Sequence, residues 1–391
     1  MKNKLSIITF ISLILGIIFG LSFPNYTDSI SFIGTIYISF LKYMIVPVVF
    51  TSIVISIYDS RKLNNKLVIK TIIIFIIMFL ATFIISSIVV LLVNPSKDFI
   101  LESIEWNGTT TNINITGILL NLIPNDINKF FTGSYLFFVI VISFIFGYLC
   151  TKINKGKTII DFIRKIKEFL FKILEYFMYI TPLAVFSLIS NTVAKYGSIL
   201  LGVGLRYILT AYLCALVTLI VVMILPVLII CKITPFEFIN KVKNIWLMTI
   251  TTCSSSATLP YTIKTCNEQF NIPSDITDVV VPLGCTIHMC GGAVSFSLLG
   301  IFCSKLFGVD ITLSRYLLMI ISAVLINMSA PGIPNGGVVI GATYLQILGI
   351  PLDFIGFYSG IYKLLDMVYT SLNVTGDITA NVIINEMEKQ K

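Results

Sequence analysis

The sequence predicts an all-α polytopic membrane protein, and three observations carry that prediction. Of its 391 residues 57% are hydrophobic and only 12% charged, with a mean hydropathy of +0.97, too apolar for a soluble fold that must face water with a polar exterior. Apolar runs of bilayer-spanning length recur along the chain. Its cations gather in the short segments between those runs.

A spanning helix needs about 20 mostly apolar residues. The candidate runs are 5–23, 33–57, 67–93, 136–149 and 207–230. The first follows Lys2 and Lys4 and could be read as a signal peptide, but it is longer than an ordinary h-region and lacks a clear small-x-small cleavage site before Pro24. It is counted as a first span. A net charge of +8 could point to nucleic acid. The cations cluster instead at Arg61, Lys62 and Lys66, from Lys152 to Lys167, and at Lys232, Lys241 and Lys243, the positive-inside pattern of a membrane protein. No nucleic-acid partner is expected, and lipid is. The intervening segment 94–130, with Asp98, Glu102 and Glu105, is expected outside, which leaves both termini cytoplasmic in the cell membrane. Eight cysteines, none in a CxxC pair, read as small buried hydrophobes.

Organisation changes near Ile233. Residues 1–232 read mainly as spanning helices, whereas 233–391 carry two apolar stretches with polar, helix-breaking tips: TTCSSSATLP (251–260) and NMSAPGIPNGG (327–337). Broken backbone is tolerated at membrane depth only where protein or a water-filled cavity receives it. Two re-entrant hairpins are expected, with extramembrane loops between short helices as the alternative. Paired discontinuous segments point to a transporter binding site, because freed amides can face an anion and freed carbonyls a cation.

Near the C-terminus, at about 100° per residue, Tyr362, Asp366, Tyr369, Thr370, Asn373 and Asp377 fall along one face of a helix. A carboxylate at the bilayer centre costs at least about 2.5–3.5 kcal/mol. Two on one face call for a cavity, a cation or a partner, or else are aspartates that only pack helices together. Between the hairpins, VPLGCTIHMCGGAVSF (281–296) sets glycines and a threonine at mid-span and holds His288, the only histidine.

The motifs SSSATLP, PLGCTIHMCGG, PGIPNGG and NVTGDIT, in that order, resemble the first hairpin, the unwound seventh helix, the second hairpin and the eighth helix of the dicarboxylate/amino acid:cation symporter family, the glutamate-transporter homologues. The resemblance implies eight transmembrane helices plus two re-entrant hairpins in an inverted-repeat fold, assembled as a homotrimer. In it, 233–391 form the core of a transport domain joined by helices 3 and 6. It implies a secondary symporter rather than an enzyme, with Na⁺, or alternatively H⁺, as the co-transported ion and no cofactor. The site residues carried over for substrate are Ser255, Ser256, Ile333, Gly337, Asp366, Tyr369, Thr370 and Asn373. Those for the ions are Gly284, Thr286, His288, Asn327, Met328, Ala330, Asn373 and Asp377.

Departures from the family pattern shape the expected substrate. Acidic-substrate members hold the side-chain carboxylate with an arginine and support that arginine with an aspartate; the matching positions here are Tyr369 and Tyr362. A desolvated carboxylate without its partner typically costs about 3–5 kcal/mol, a hundredfold or more in affinity. A neutral amino acid is therefore expected. Gly292 stands where a threonine is usual and is expected to open room for the side chain. A third cation site is expected to be absent, since its oxygen ligands fall on Met78, Phe79 and Cys290. His288 could replace a lost cation with a proton or could serve only as a structural hydrogen-bond donor. The adjacent Cys285, His288 and Cys290 make weak metal spacing, so no transition metal is expected. A gated channel or a transport-impaired sensor on the same fold stays open as an alternative function.

Overall fold

The computed structural model describes residues 2–60, 65–97, 136–196, 199–327 and 336–389, and among these every regular element is a helix. The first apolar runs become α1 (Lys2–Ser22), α2 (Ser31–Ser60), α3 (Asn65–Val93) and α4 (Leu136–Cys150). An amphipathic, lysine-rich α5 (Gly156–Phe177) and a short apolar α6 (Thr181–Tyr196) follow. The run at 207–230 lies within α7 (Ile199–Thr218), which passes through a π-helical turn (Leu219–Ile224) into α8 (Leu225–Cys231).

The first run packs as a helix of the fold. Its glycines let α1 lie directly on α6: a Cβ on Gly16 would stand 3.0 Å from the Phe186 carbonyl oxygen, and one on Gly20 would stand 3.1 Å from the Ser190 Cα. The α2 helix rests against α4, α5 and α6, and an Arg164–Asp59 ion pair at 2.5 Å ties α5 to it. The remaining core forms where α3 packs on α7 and α12, with the last helix running through the middle.

Breaks mark the second half. The α9 helix (Pro235–Thr252) begins at Thr234, whose hydroxyl accepts from the Glu237 amide at 3.3 Å, and stops at Cys253 in the left-handed region (φ 47°, ψ 43°). Ser254 then turns extended, and its Oγ accepts from Ala257 N at 3.2 Å to start α10 (Ser255–Gln269), which packs back on α9 as a hairpin would. The next span is also broken: α11 (Ser274–Ile287) and α12 (Cys290–Leu306) are separated by extended backbone at His288 and Met289. The stretch expected to form the second hairpin holds α13 (Leu313–Asn327) and α14 (Gly336–Ile347), which pack on each other. Its tip, with Met328, Ala330 and Ile333, lies outside the described residues. The closing α15 (Ile355–Lys389) is one unbroken helix of 35 residues.

By length and composition, among the described residues three continuous helical stretches could cross a bilayer: Lys66–Val93, Gly202–Cys231 and Ser274–Leu306. A fourth is added if Ile11–Ser22 and Pro24–Tyr37, bent by 110°, count as one. Of the shorter apolar helices, Val141–Cys150 falls on an expected span and Leu313–Asn327 beside an expected hairpin tip, while Thr181–Ala194 lies where no run was singled out. All eight cysteines are free thiols; seven are buried and Cys231 is half-buried.

Candidate functional site

Two sites share α15. Its polar stripe is buried: Asp366 is 7%, Thr370 3%, Asn373 8% and Asp377 2% exposed. A helix can bury so many polar groups in an apolar chain only if neighbours supply partners. Here the broken helices do so for Asn373 and Asp377, while Asp366 and Thr370 bond to each other.

The first site is a pocket where the α9–α10 junction, the start of α12, the two helices of the expected second hairpin and α15 meet. Its walls include Cys253 and Ser255 from the first hairpin, Met289, Gly292, Ser295 and Phe296 from α12 and its approach, and Asn327, Gly337 and Ile340 from the second hairpin. From α15 come Tyr362, Asp366, Tyr369, Thr370 and Asn373. Asp366 supplies the charge, and its Oδ1 accepts from the Thr370 hydroxyl at 3.1 Å. Ser254 Oγ takes the Ala257 amide, and the start of α10 is a helix N-terminus, whose first amides have no partner within the helix itself. None of the lining residues is a cation. Lys363, one residue along α15 from Tyr362, lies against Cys253.

Glycines make room for the tyrosines. A Cβ on Gly337 would collide with the Tyr362 hydroxyl, and one on Gly291 would meet the Tyr369 backbone, with its Cα at 2.5 Å. Both rings are thus seated in the fold. Gly292 behaves differently from expectation: the space it leaves is taken by Asn327 Oδ1, so the glycine admits a side chain of the second hairpin rather than enlarging the pocket.

The second site lies deeper, around Asp377. His288 Nδ1 stands 2.9 Å from Asp377 Oδ1, and His288 Nε2 stands 3.2 Å from Cys290 Sγ. A neutral imidazole satisfies both contacts, donating from Nδ1 to the carboxylate and accepting the thiol proton at Nε2. The ring lies flat on Phe75 of α3, centroids 4.3 Å apart and planes 4° apart. Gly284 completes the enclosure: a Cβ there would run into Asp377 Oδ1 and stand 2.7 Å from its Cγ and 3.0 Å from Phe75 Cζ. The Gly291 amide donates to Asn373 Oδ1 at 2.7 Å, which pins the start of α12 to α15. Where a cation was expected between Asp377 and the broken helix, the His288 imidazole makes the contact.

Of the residues carried over from the sequence, the first pocket thus gathers Ser255, Gly337, Asp366, Tyr369, Thr370 and Asn373. Ser256 turns away, its Oγ 3.8 Å from Cys285 Sγ. The second site brings together Gly284 of α11 and His288 at the α11–α12 break with Asn373 and Asp377 of α15. Thr286 is exposed, its hydroxyl donating to the Leu283 carbonyl at 2.8 Å. The Asn327 side chain belongs to the first pocket. At the positions expected to have lost a cation site, Met78 and Phe79 are buried. One turn on, the buried Thr82 hydroxyl stands against the Cys290 thiol. Among the described residues no group of three or more His, Cys, Asp or Glu side chains gathers as a metal centre would. Sequence reasoning missed Cys253, Met289, Ser295, Phe296 and Ile340 in the pocket and Phe75 under His288. Only Ser295, a hydroxyl in an apolar run, carried a signal that could have found it.

Residues 5–387 match the model of the sodium:dicarboxylate symporter family. The chain is 28% identical to the proton/sodium-glutamate symport protein of Geobacillus stearothermophilus, over 97% of this chain and 94% of that one. It is 26% identical to the proton/glutamate-aspartate symporter of Bacillus subtilis, over 100% and 96%. It is 23% identical to the C4-dicarboxylate transport protein of the same organism, over 99% and 94%.

Proposed function

Because the chain belongs to the sodium:dicarboxylate symporter family, we propose that it is a multi-pass membrane symporter that couples the entry of a cation, Na⁺ on this reading, to that of a neutral α-amino acid. The observation that carries the substrate half is the pocket itself: one buried carboxylate, Asp366, faces a helix N-terminus at Ser255, and no cation stands among the lining residues. An α-amino acid brings an ammonium for Asp366 and a carboxylate for the amides of α10, so its two charges are both met. A second carboxylate on the substrate would find hydroxyls and aromatic rings but no charge, at a cost of a hundredfold or more in affinity.

The Asp377 centre is the cation half. Sodium would be held by Asp377, Asn373 and the carbonyls freed where α11 breaks, and it would have to displace the His288 contact. That contact favours a second reading in which a proton is the coupling ion. An acidic substrate is favoured in turn by the names of the relatives and by Lys363 near the hairpin tip. We further propose that residues 233–389 with α3 and the α7–α8 span move as the transport unit against a scaffold of the other helices. The same reading includes a homotrimer with both termini cytoplasmic.

Reconstitution into liposomes tests this reading. Accumulation of a neutral amino acid driven by an inward Na⁺ gradient, and abolished when choline replaces Na⁺, is the expected result. Accumulation driven by a pH gradient alone would move the coupling to H⁺, and uptake of glutamate or aspartate in preference to neutral amino acids would overturn the substrate assignment. Current without accumulation would make the protein a channel.

A further inference from the structure

Where the first turns of α15 meet α1 and α6, two leucines seat in two glycines. Gly356 and Gly360 stand about one turn apart on one face of α15, and both are buried. A Cβ on Gly356 would lie 2.6 Å from Leu188 Cβ of α6. One on Gly360 would collide with Leu13 Cδ1 of α1 and lie 3.2 Å from its Cγ. Each leucine thus fills the space that a side chain of α15 would need. Leu188 is gripped from behind as well, because a Cβ on Gly34 of α2 would lie 2.6 Å from its Cγ.

The two leucines are held in fixed relation to each other. The α1 helix lies on α6 through Gly16 and Gly20, and Ser187 joins α6 to α2 by accepting from the Gly34 amide at 3.2 Å and donating to the Ile30 carbonyl at 2.7 Å. They form a rigid pair of knobs facing α15. The seats themselves are leucine side chain against glycine backbone, contacts that hold by fit.

Such a fit belongs to one register. If α15 shifted by one turn, about 5.4 Å, one leucine would reach the other's glycine and the second would find none. Leu13 would then meet Leu364, or, for the opposite shift, Leu188 would meet Leu352 in the turn before the helix. Close-packed interfaces of this kind switch between discrete arrangements rather than deforming continuously.

We infer that the Leu13–Gly360 and Leu188–Gly356 seats latch the transport unit to its scaffold in this conformation, and that leaving them is a step of transport. This rests on the reading above that residues 233–389 with α3 and the α7–α8 span move together against the other helices. A contact that only packs the fold would stay closed through the whole cycle.

The test is a crosslink in the full-length chain, Leu13→Cys with Gly360→Cys. A Cβ on residue 360 would lie 3.3 Å from that of Leu13, close to the 3.5–4.5 Å that a disulfide spans. Oxidation with copper phenanthroline is expected to form the bond and to cut amino-acid uptake into liposomes at least about tenfold, with ligand-induced thermal stabilisation retained and uptake restored by dithiothreitol. The Leu13→Cys single variant, treated alike, should keep its uptake. Should the double variant fail to fold, Gly360→Ala probes the same seat: the maximal uptake rate is expected to change at least about threefold at unchanged amino-acid affinity, and Leu13→Ala in the same chain to bring it back to within about 1.5-fold. Full uptake by the crosslinked protein, or a Gly360→Ala effect that Leu13→Ala does not relieve, would overturn the latch while leaving the symporter standing. A folded double variant that forms no crosslink would overturn the Leu13–Gly360 seat. A parent protein that binds amino acids but accumulates none would overturn both this inference and the reading beneath it.

Discussion

Gly284→Ala is the sharpest probe of the Asp377 centre. The added Cβ would stand 2.7 Å from Asp377 Cγ, whereas ordinary contact begins at 3.4 Å, so the carboxylate must retreat by about 0.7 Å because Phe75 Cζ at 3.0 Å blocks the other side. A retreat along the His288 contact would stretch its 2.9 Å to about 3.6 Å, beyond hydrogen-bond range. Losing a hydrogen bond to a charged group costs about 1.5–3 kcal/mol and overpacking about 1–3 kcal/mol, partly offset by about 0.5–1 kcal/mol gained from alanine in a helix. The net is roughly 2–5 kcal/mol, placed on the group expected to hold the cation. The assay is a cation titration of both thermal stability and uptake. The half-saturating Na⁺ concentration is expected to rise at least about tenfold, equivalent to 1.4 kcal/mol. Gly202→Ala is the control, since a Cβ there meets nothing within 4 Å. A Gly284→Ala protein that folds and shows a half-saturating Na⁺ concentration within about twofold of its parent would refute the assignment of Asp377 as the cation group.

Three further outcomes follow from the geometry. Asp366→Asn keeps the shape of the side chain and its bond from Thr370 but removes the charge, so amino-acid affinity measured calorimetrically should fall at least about thirtyfold; a fall under threefold would remove Asp366 from the site. Trp246→Phe deletes the indole N–H donated to Thr375 Oγ1 at 2.9 Å, which ties α9 to α15. It should cost about 0.5–1.5 kcal/mol in denaturant unfolding, and no measurable loss would mean that water replaces the bond at no cost. Arg164→Ala breaks a pair whose side chains are 41% and 44% exposed. It should therefore cost about 0.2–1 kcal/mol in low salt and less in about 1 M salt, and a larger, salt-insensitive loss would show that α5 depends on this contact for its placement.

What the sequence made legible was local chemistry that conflicts with its surroundings. Two carboxylates in an apolar helix, a serine run next to a proline, and glycines beside the lone histidine each announce a local problem, and the structure breaks its helices at Cys253 and at His288–Met289 where those signals lie. Relations between distant segments were not legible. Nothing in the period of α11 or α12 says that Asn327 will fill the space beside Gly292, that Phe75 will floor the imidazole, or that Ser254 will cap α10 while Ser256 turns to Cys285. Those depend on how helices far apart in the chain meet. The expected count of eight spans met a similar obstacle, because hydropathy scores a short hairpin arm such as Leu313–Asn327 and a true span by the same apolar content.

Asn373 lines the first pocket, and the same side chain's amide oxygen holds the Gly291 N–H one residue from Cys290 and three from His288. One side chain therefore borders both proposed sites. Linkage requires that if an occupied pocket changes cation affinity by some factor, the bound cation changes amino-acid affinity by the same factor. A substitution at Asn373 should move both halves of that thermodynamic square together. Driving and driven species would then share a single coupling constant set at one joint, and the degree to which one gradient can be spent on the other becomes a property of this amide.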